Sequence, residues 1–316
     1  MATVDNYIFT LSENVTRKPV SYKTRYGINI SADLYLPKGL NESDQLPALV
    51  VGAPYGGVKE QGPGVYANEL AQRGFAVLTF DPSYNGYSSG EVRHLSSPDI
   101  FVEDFSAAVD FLGTRPFVNR EQIGVIGICG SGGFALSAAQ VDRRIKAVAT
   151  TSMYDITRMH AKGFGDSLTD EQRAAWLDSI AEQRYAEFEG NAPALTDRGA
   201  PIGFDENTDD IGKEFGEFYS TPRGYHPNSI TQFTMTSAPS MMNFSILDHL
   251  DWISPRPILL VIGEHAHSRY FSEDVYQQAG DEKELLVIPN ANHVDLYDKT
   301  DVIPFDKFEA FFKDAF

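Results

Sequence analysis

The chain has 316 residues, 42% of them hydrophobic, a net charge of −18 and an isoelectric point near 4.7. That length and apolar content suffice for a full core in one large or two smaller domains. The negative field repels phosphate, which argues against nucleic acid or an anionic membrane surface as partner. With one cysteine, neither an intramolecular disulfide nor a cysteine-rich zinc site can form.

No apolar run approaches the ~20 residues of a membrane span. The start, MATVDNYIFTLSENVTRKPV, lacks the basic segment followed by an apolar segment that marks a secretory signal, so a cytoplasmic location is expected. KPVSYKTRYGINISADLYLP alternates on either side of Tyr26 and Gly27, as a β-hairpin does. PALVVGAP is a continuous apolar run, the mark of a strand buried on both faces. The helical spacing of GVYANELAQRG and the buried strand FAVLTFD come next. After the loop PSYNGYSSGE, DIFVEDFSAAVDFLGTRP has helical spacing and stops at Pro116. IGVIGIC is a third buried strand, GGFALSAAQV a small-residue helix and IKAVATTS a fourth strand.

Strands alternating with helices imply right-handed crossovers and a mostly parallel sheet with helices on both faces. The rhythm stops near Asp155 and resumes after about Met242 with the strand RPILLVIG, the helix SEDVYQQAG, the strand ELLVIP and the helix PFDKFEAFFKDAF. Residues 1–155 and 243–316 are therefore expected to form the core, and 156–242 a helical insertion. Between Asp166 and Glu217 the insertion holds 14 acidic and 4 basic residues, −10 of the total −18. Trp176, Tyr185, Phe188, Phe215, Phe218 and Tyr219 give it apolar surface, which ordinary helix packing explains better than substrate binding.

Residues 123–134, IGVIGICGSGGF, have the pattern of a buried strand turning through glycines into a helix. Such a turn exposes a nucleophile at the top of a sheet. It forces disfavoured backbone angles, hence small neighbours, and the helix N-terminus stabilises developing negative charge. In the G-x-S-x-G pattern, counting from Gly127 puts Cys129 at the nucleophile. Counting to Ser131 instead would extend the strand beyond its apolar run. Cys129 is preferred, with Ser131 the alternative. A nucleophile needs a base within hydrogen-bond reach, and His293 in IPNANHVDLYD follows the last strand, on the sheet edge where the Cys129 turn should emerge. His265 and His267 are second candidates.

With these residues in view, the chain resembles the α/β-hydrolase superfamily over nearly its whole length. Within it, the stretches GICGSGG, GGVKEQ and NHVDLYD are similar to dienelactone-hydrolase-like enzymes, including a bacterial branch and fungal polyketide acyltransferases. The dienelactone enzymes use a cysteine nucleophile in a G-x-C-x-G-G turn. The resemblance implies Cys129 as nucleophile, His293 as base and an oxyanion hole from the backbone N–H groups of Gly130 and Tyr55. It also implies an acid shortly after ILLVIG, but GEHAHS places Ala266 where aspartate is expected. Asp155, at the end of IKAVATTSMYD, is the expected substitute; Glu264 and Asp295 are rivals, and Asp155 could instead cap the helix that follows. Lys59 and Glu60 are expected to form a purely structural salt bridge, with ordering of the oxyanion loop as the alternative.

No phosphate-binding G-x-x-x-x-G-K-[ST] is present, and the glycines at 130–133 lack the acidic residue ~20 positions on that reads a ribose, so no cofactor and no metal are expected. The expected partner is a small-molecule acyl substrate, with a homodimer possible. Hydrolysis of an ester, thioester or lactone through an acyl-enzyme is the leading function. Acyl transfer to an alcohol follows from the same chemistry, since a thioester reacts readily with alcohols. A hydrolase-fold binding protein with a decayed triad is the third.

Overall fold

The expected hairpin is present in the computed structural model, which describes residues 6–41 and 43–316; residues 1–5, the start of the segment read for a secretory signal, lie outside them. Strand β1 (Val15–Lys23) pairs antiparallel with β2 (Asn29–Pro37). Strand β3 (Leu46–Gly52) leads into helix α1 (Gly62–Gln72), then β4 (Ala76–Phe80) and α2 (Pro98–Gly113). Strand β5 (Val118–Ile128) leads into α3 (Gly130–Val141) and β6 (Ala147–Thr151). After β6 come α4 (Ile156–Lys162), α5 (Asp170–Phe188), α6 (Asp210–Ser220) and α7 (Ala238–Asn243). The core resumes with β7 (Ile258–Gly263), α8 (Arg269–Gln278), β8 (Lys283–Ile288), α9 (Asp295–Asp298) and α10 (Phe305–Ala315).

These strands make one eight-stranded sheet in the order β1-β2-β4-β3-β5-β6-β7-β8. Only the β1–β2 and β2–β4 pairs are antiparallel; β4 through β8 run parallel. Helices α1 and α10 pack together, while α2 packs on α3, and α3 and α8 share the short turn at Leu250–Ile253, so both faces are covered. Parallel strands buried on both faces must be apolar throughout. LPALVVG and ILLVIG satisfy that, AVLTF and AVATT do so apart from the buried Thr79, Thr150 and Thr151, and their apolar side chains join the core.

Strand β5 begins five residues before the apolar run that announced it. Val118 pairs with Leu46 and the ladder then shifts register before Ala48 meets Ile123, so polar VNREQ joins the strand at its solvated end. Helix α5 starts at a reciprocal capping box between Thr169 and Gln172. Its only fully buried residue is Ile180. Tyr185 and Phe188 on this helix are 69% and 95% exposed, so they do not contribute the apolar packing expected of them. Among the described residues no helix is long and apolar enough to cross a membrane.

Candidate active site

Strand β5 ends at Ile128, α3 begins at Gly130, and Cys129 between them has φ 53° and ψ −120°. A positive φ on a residue with a Cβ is disfavoured and persists only where the surroundings enforce it. Here the Cys129 N–H donates to the Thr151 carbonyl (2.9 Å), and the Cys129 carbonyl accepts from the N–H groups of Gly132 and Tyr154 (both 2.9 Å). A Cβ on Gly127 would sit 2.2 Å from the Ser131 carbonyl oxygen, and one on Gly130 would sit 2.7 Å from the Tyr55 Cβ. The tight turn is therefore centred on Cys129. Ser131 lies in the first turn of α3, with its hydroxyl toward Gly52 of β3.

Backbone N–H groups of Tyr55 and Gly130 both reach the Cys129 sulfur. Burial pushes the thiol up to about 11, against the pull of the Tyr297 hydroxyl and those two amides. The Tyr55 ring stacks on Phe233 of the insertion at 3.8 Å between centroids, and its hydroxyl bonds Ser96 Oγ at 2.6 Å. The loop bearing Tyr55 is held twice more: Ser229 Oγ donates to the Gly56 carbonyl (2.8 Å) and Gln61 donates to the Gly224 carbonyl (2.6 Å). Lys59 and Glu60 are buried and paired, and the Lys59 N–H donates to Asp81 Oδ1 (2.9 Å), which ties the same loop to the end of β4.

His293 is fully buried, in the loop between β8 and α9. Its Nδ1 bonds Ser268 Oγ at 2.6 Å and its Nε2 bonds the Tyr297 hydroxyl at 2.8 Å. That hydroxyl also lies beside the Cys129 thiol and Tyr219, on the wall of the same cavity. Ser152 Oγ fixes the His293 carbonyl at 2.7 Å, and the Val294 N–H donates to Glu214 of α6 at 2.6 Å. His267 stacks on His293 with centroids 4.6 Å apart. Burial first, and His267 second, hold the His293 imidazole well below the ordinary histidine range. His265 is exposed at the rim of an outer groove.

The Asp155 carboxylate, expected to orient His293, makes its hydrogen bonds to other groups. Asp155 caps α4: its Oδ1 accepts from the Arg158 N–H (3.0 Å) and the Thr157 hydroxyl (2.6 Å). Glu264 accepts from the Asn290 N–H (2.9 Å), and Asp295 accepts from the Asn292 N–H (2.9 Å) and pairs with Lys299 (2.6 Å). Both imidazole nitrogens meet hydroxyls instead. Ser268, two residues past Ala266, stands at Nδ1; as the residue before α8 it makes no capping bond, leaving its hydroxyl for His293. The i, i+4 spacing of His293 and Tyr297 in NHVDLYD was the one sequence signal that could have paired them.

Cys129 opens into a cavity of about 410 Å³ whose lining is mostly apolar, with Trp176, Phe215, Tyr219 and Phe233 from the insertion facing Tyr55 and Tyr154 of the core. Among the described residues no group of three or more His, Cys, Asp or Glu could hold a metal ion.

The sheet order, the turn at Cys129 and the late histidine define an α/β-hydrolase. Residues 26–200 match the family model described as X-Pro dipeptidyl-peptidase (S15 family), and the chain belongs to that family. It is 52% identical over 307 residues to the uncharacterized protein PA2218 of Pseudomonas aeruginosa, covering 96% of this chain and 82% of the relative. The crystal structure of PA2218 superposes with a TM-score of 0.95 at 50% identity, covering 100% and 98% of the two chains. The thiohydrolase aneE of Aspergillus aculeatus is 26% identical over 254 residues (79% of this chain, 77% of the relative). The polyketide transferase claH of Penicillium crustosum is 26% identical over 258 residues (77% and 78%). The protein is a hydrolase whose relatives include a transferase.

Proposed function

We propose that the protein hydrolyses an ester, thioester or lactone through an acyl-enzyme on Cys129. His293 serves as base and the Tyr55 and Gly130 amides bind the oxyanion. The observation that carries this reading is the convergence of two backbone donors on the thiol at the floor of an apolar cavity. Donors fixed in a water-poor site act on the charge that develops as the carbonyl is attacked, and one of them is worth ~3 kcal/mol of barrier. Residues 156–242 act as the lid that keeps water out, through Phe233 on Tyr55 and Glu214 on the His293 loop. Incubation with an activated aryl ester and mass spectrometry should find the acyl group on Cys129, lost in Cys129→Ala and kept in Ser131→Ala. An acyl group on Ser131, or an inert thiol with no ester turned over, sinks the reading and favours a binding protein.

Transfer to an alcohol is the second reading. It is favoured by the apolar site and by the equal 26% identities to a thiohydrolase and a polyketide transferase. With an alcohol acceptor added, a hydrolase continues to yield free acid, whereas a transferase yields mainly acylated alcohol.

The assignment of Ser268 and Asp155 separates cleanly. Ser268→Ala should slow Cys129 acylation about tenfold, the value of one lost hydrogen bond. Asp155→Ala should leave the acylation rate unchanged and cost about 1 kcal/mol of stability in urea unfolding, the value of a helix cap. The reverse pattern would restore Asp155 as the orienting acid.

A further inference from the structure

The acyl-enzyme reading requires the thiol proton to leave Cys129, and the structure gives it a path through a third side chain. The hydrogen-bond partner of His293 Nε2 is the Tyr297 hydroxyl at 2.8 Å, and that hydroxyl also contacts the Cys129 thiol. A neutral phenol has one proton to donate and two lone pairs to accept with. Tyr297 has three neighbours to match them: His293, Cys129 and Tyr219. A consistent resting arrangement runs in one direction. The thiol donates to Tyr297 Oη, Tyr297 donates to Nε2, and Nδ1–H donates to Ser268 Oγ at 2.6 Å.

We propose that Tyr297 is a catalytic residue that relays the proton between Cys129 and His293. The inference rests on the acyl-enzyme reading and adds a residue to it. As the sulfur–carbon bond forms, the carbonyl π pair moves onto the oxygen held by the Tyr55 and Gly130 amides. The thiol proton passes to Tyr297 Oη while the phenol proton passes to Nε2, leaving a neutral phenol and an imidazolium. Collapse of the adduct breaks the bond to the leaving group, which takes the imidazolium proton. In deacylation the attacking water or alcohol gives its proton to Nε2, and the departing sulfur recovers one through Oη. Protons and electron pairs balance at each step, and no ionised phenol persists.

Three further features suit a relay. Tyr297 is fully buried, so bulk water does not compete for its hydroxyl. Burial, followed by the neighbouring Cys129, holds its phenol well above the usual range, so it conducts a proton rather than storing a charge. Its helix is pinned, because Tyr66 donates to the Leu296 carbonyl at 2.7 Å and Arg223 holds Asp298 through contacts of 2.9 and 2.7 Å.

The test is the rate at which an activated ester acylates Cys129 in the full chain, followed in mixtures of light and heavy water. Wild type should give a rate that curves with deuterium fraction, the mark of two protons in flight. Tyr297→Phe, which keeps the ring in its pocket, should acylate about 10²-fold more slowly, and its dependence on deuterium fraction should become linear. A wild-type dependence that is already linear overturns the relay whatever the variant does. So does a Tyr297→Phe enzyme that acylates as fast as wild type or faster, the outcome if the phenol merely blocks the imidazole. If wild type forms no acyl-enzyme at all, the underlying reading fails and takes the relay with it.

Discussion

His293→Gln is expected to slow acylation of Cys129 by about 10³-fold, within the range that general-base catalysis supplies. Glutamine is chosen because His293 is completely buried, so alanine would leave a cavity and confound the kinetics. The expected size follows from the electrostatics of the pair. Burial raises the thiol and lowers the imidazole, so the site at rest holds a neutral thiol beside a neutral base. Without a base to take the proton during attack, only the small thiolate fraction reacts. Wild-type acylation should be level around neutral pH and fall in acid, where the imidazole, held well below 6.5, finally takes a proton and can no longer accept one. The variant should lose that acid limb and climb steadily with pH. An acid limb that survives in His293→Gln would assign the base elsewhere, with His267 first in line.

The same depression has a sign in stability. A histidine whose folded pKa is lowered contributes stability that is complete above its unfolded pKa. It is lost as pH falls below about 6.5 toward the folded value. His160 and His226 are also lowered by burial and add to the effect.

What the chain disclosed in advance were the features that depend on local pattern. LPALVVG, AVLTF and ILLVIG announce buried parallel strands because a strand covered on both faces has no room for alternation. That Cys129 and His293 come to the same edge of the sheet was legible because both follow apolar strands, and strand ends share an edge of a parallel sheet. The partners of His293 were not. Hydrogen bonds to an imidazole are made in three dimensions, and Ser268 arrives from the neighbouring strand's loop with nothing in GEHAHS to distinguish it from a solvated serine. Asp155 was ambiguous for a local reason: a carboxylate at a strand end followed by a helix is as good a helix cap as it is a triad acid, and in the structure its side chain caps α4. Tyr185 and Phe188 misled in the same way, since aromatic content does not say which side of a two-faced helix meets the core.

Alkylation of Cys129 by iodoacetamide at pH 7 should be about a hundredfold slower in the folded protein than in the urea-unfolded chain. The thiol stands near 11 instead of 9.0, and each pKa unit is a tenfold change in the thiolate that does the attacking. The folded rate should keep rising with pH toward 11, while acylation by an ester stays fast at pH 7. An ester's carbonyl lets the proton leave to His293 during attack, with the oxyanion held by Tyr55 and Gly130, whereas iodoacetamide at a saturated carbon makes no use of that hole. The divergence between the two reagents is what separates a neutral thiol deprotonated in the transition state from a thiolate–imidazolium pair formed at rest. A pair would give an alkylation rate that is high and level from about pH 5 to 8, as expected of thiols whose pKa is strongly depressed, and that result would overturn the neutral-thiol account. Linkage adds an independent check. A thiol whose folded pKa is raised contributes stability that is complete below its unfolded value and is lost as pH climbs from about 9 through the folded value. Cys129→Ala should flatten that alkaline decline, and a decline that persists unchanged would place the titrating group elsewhere.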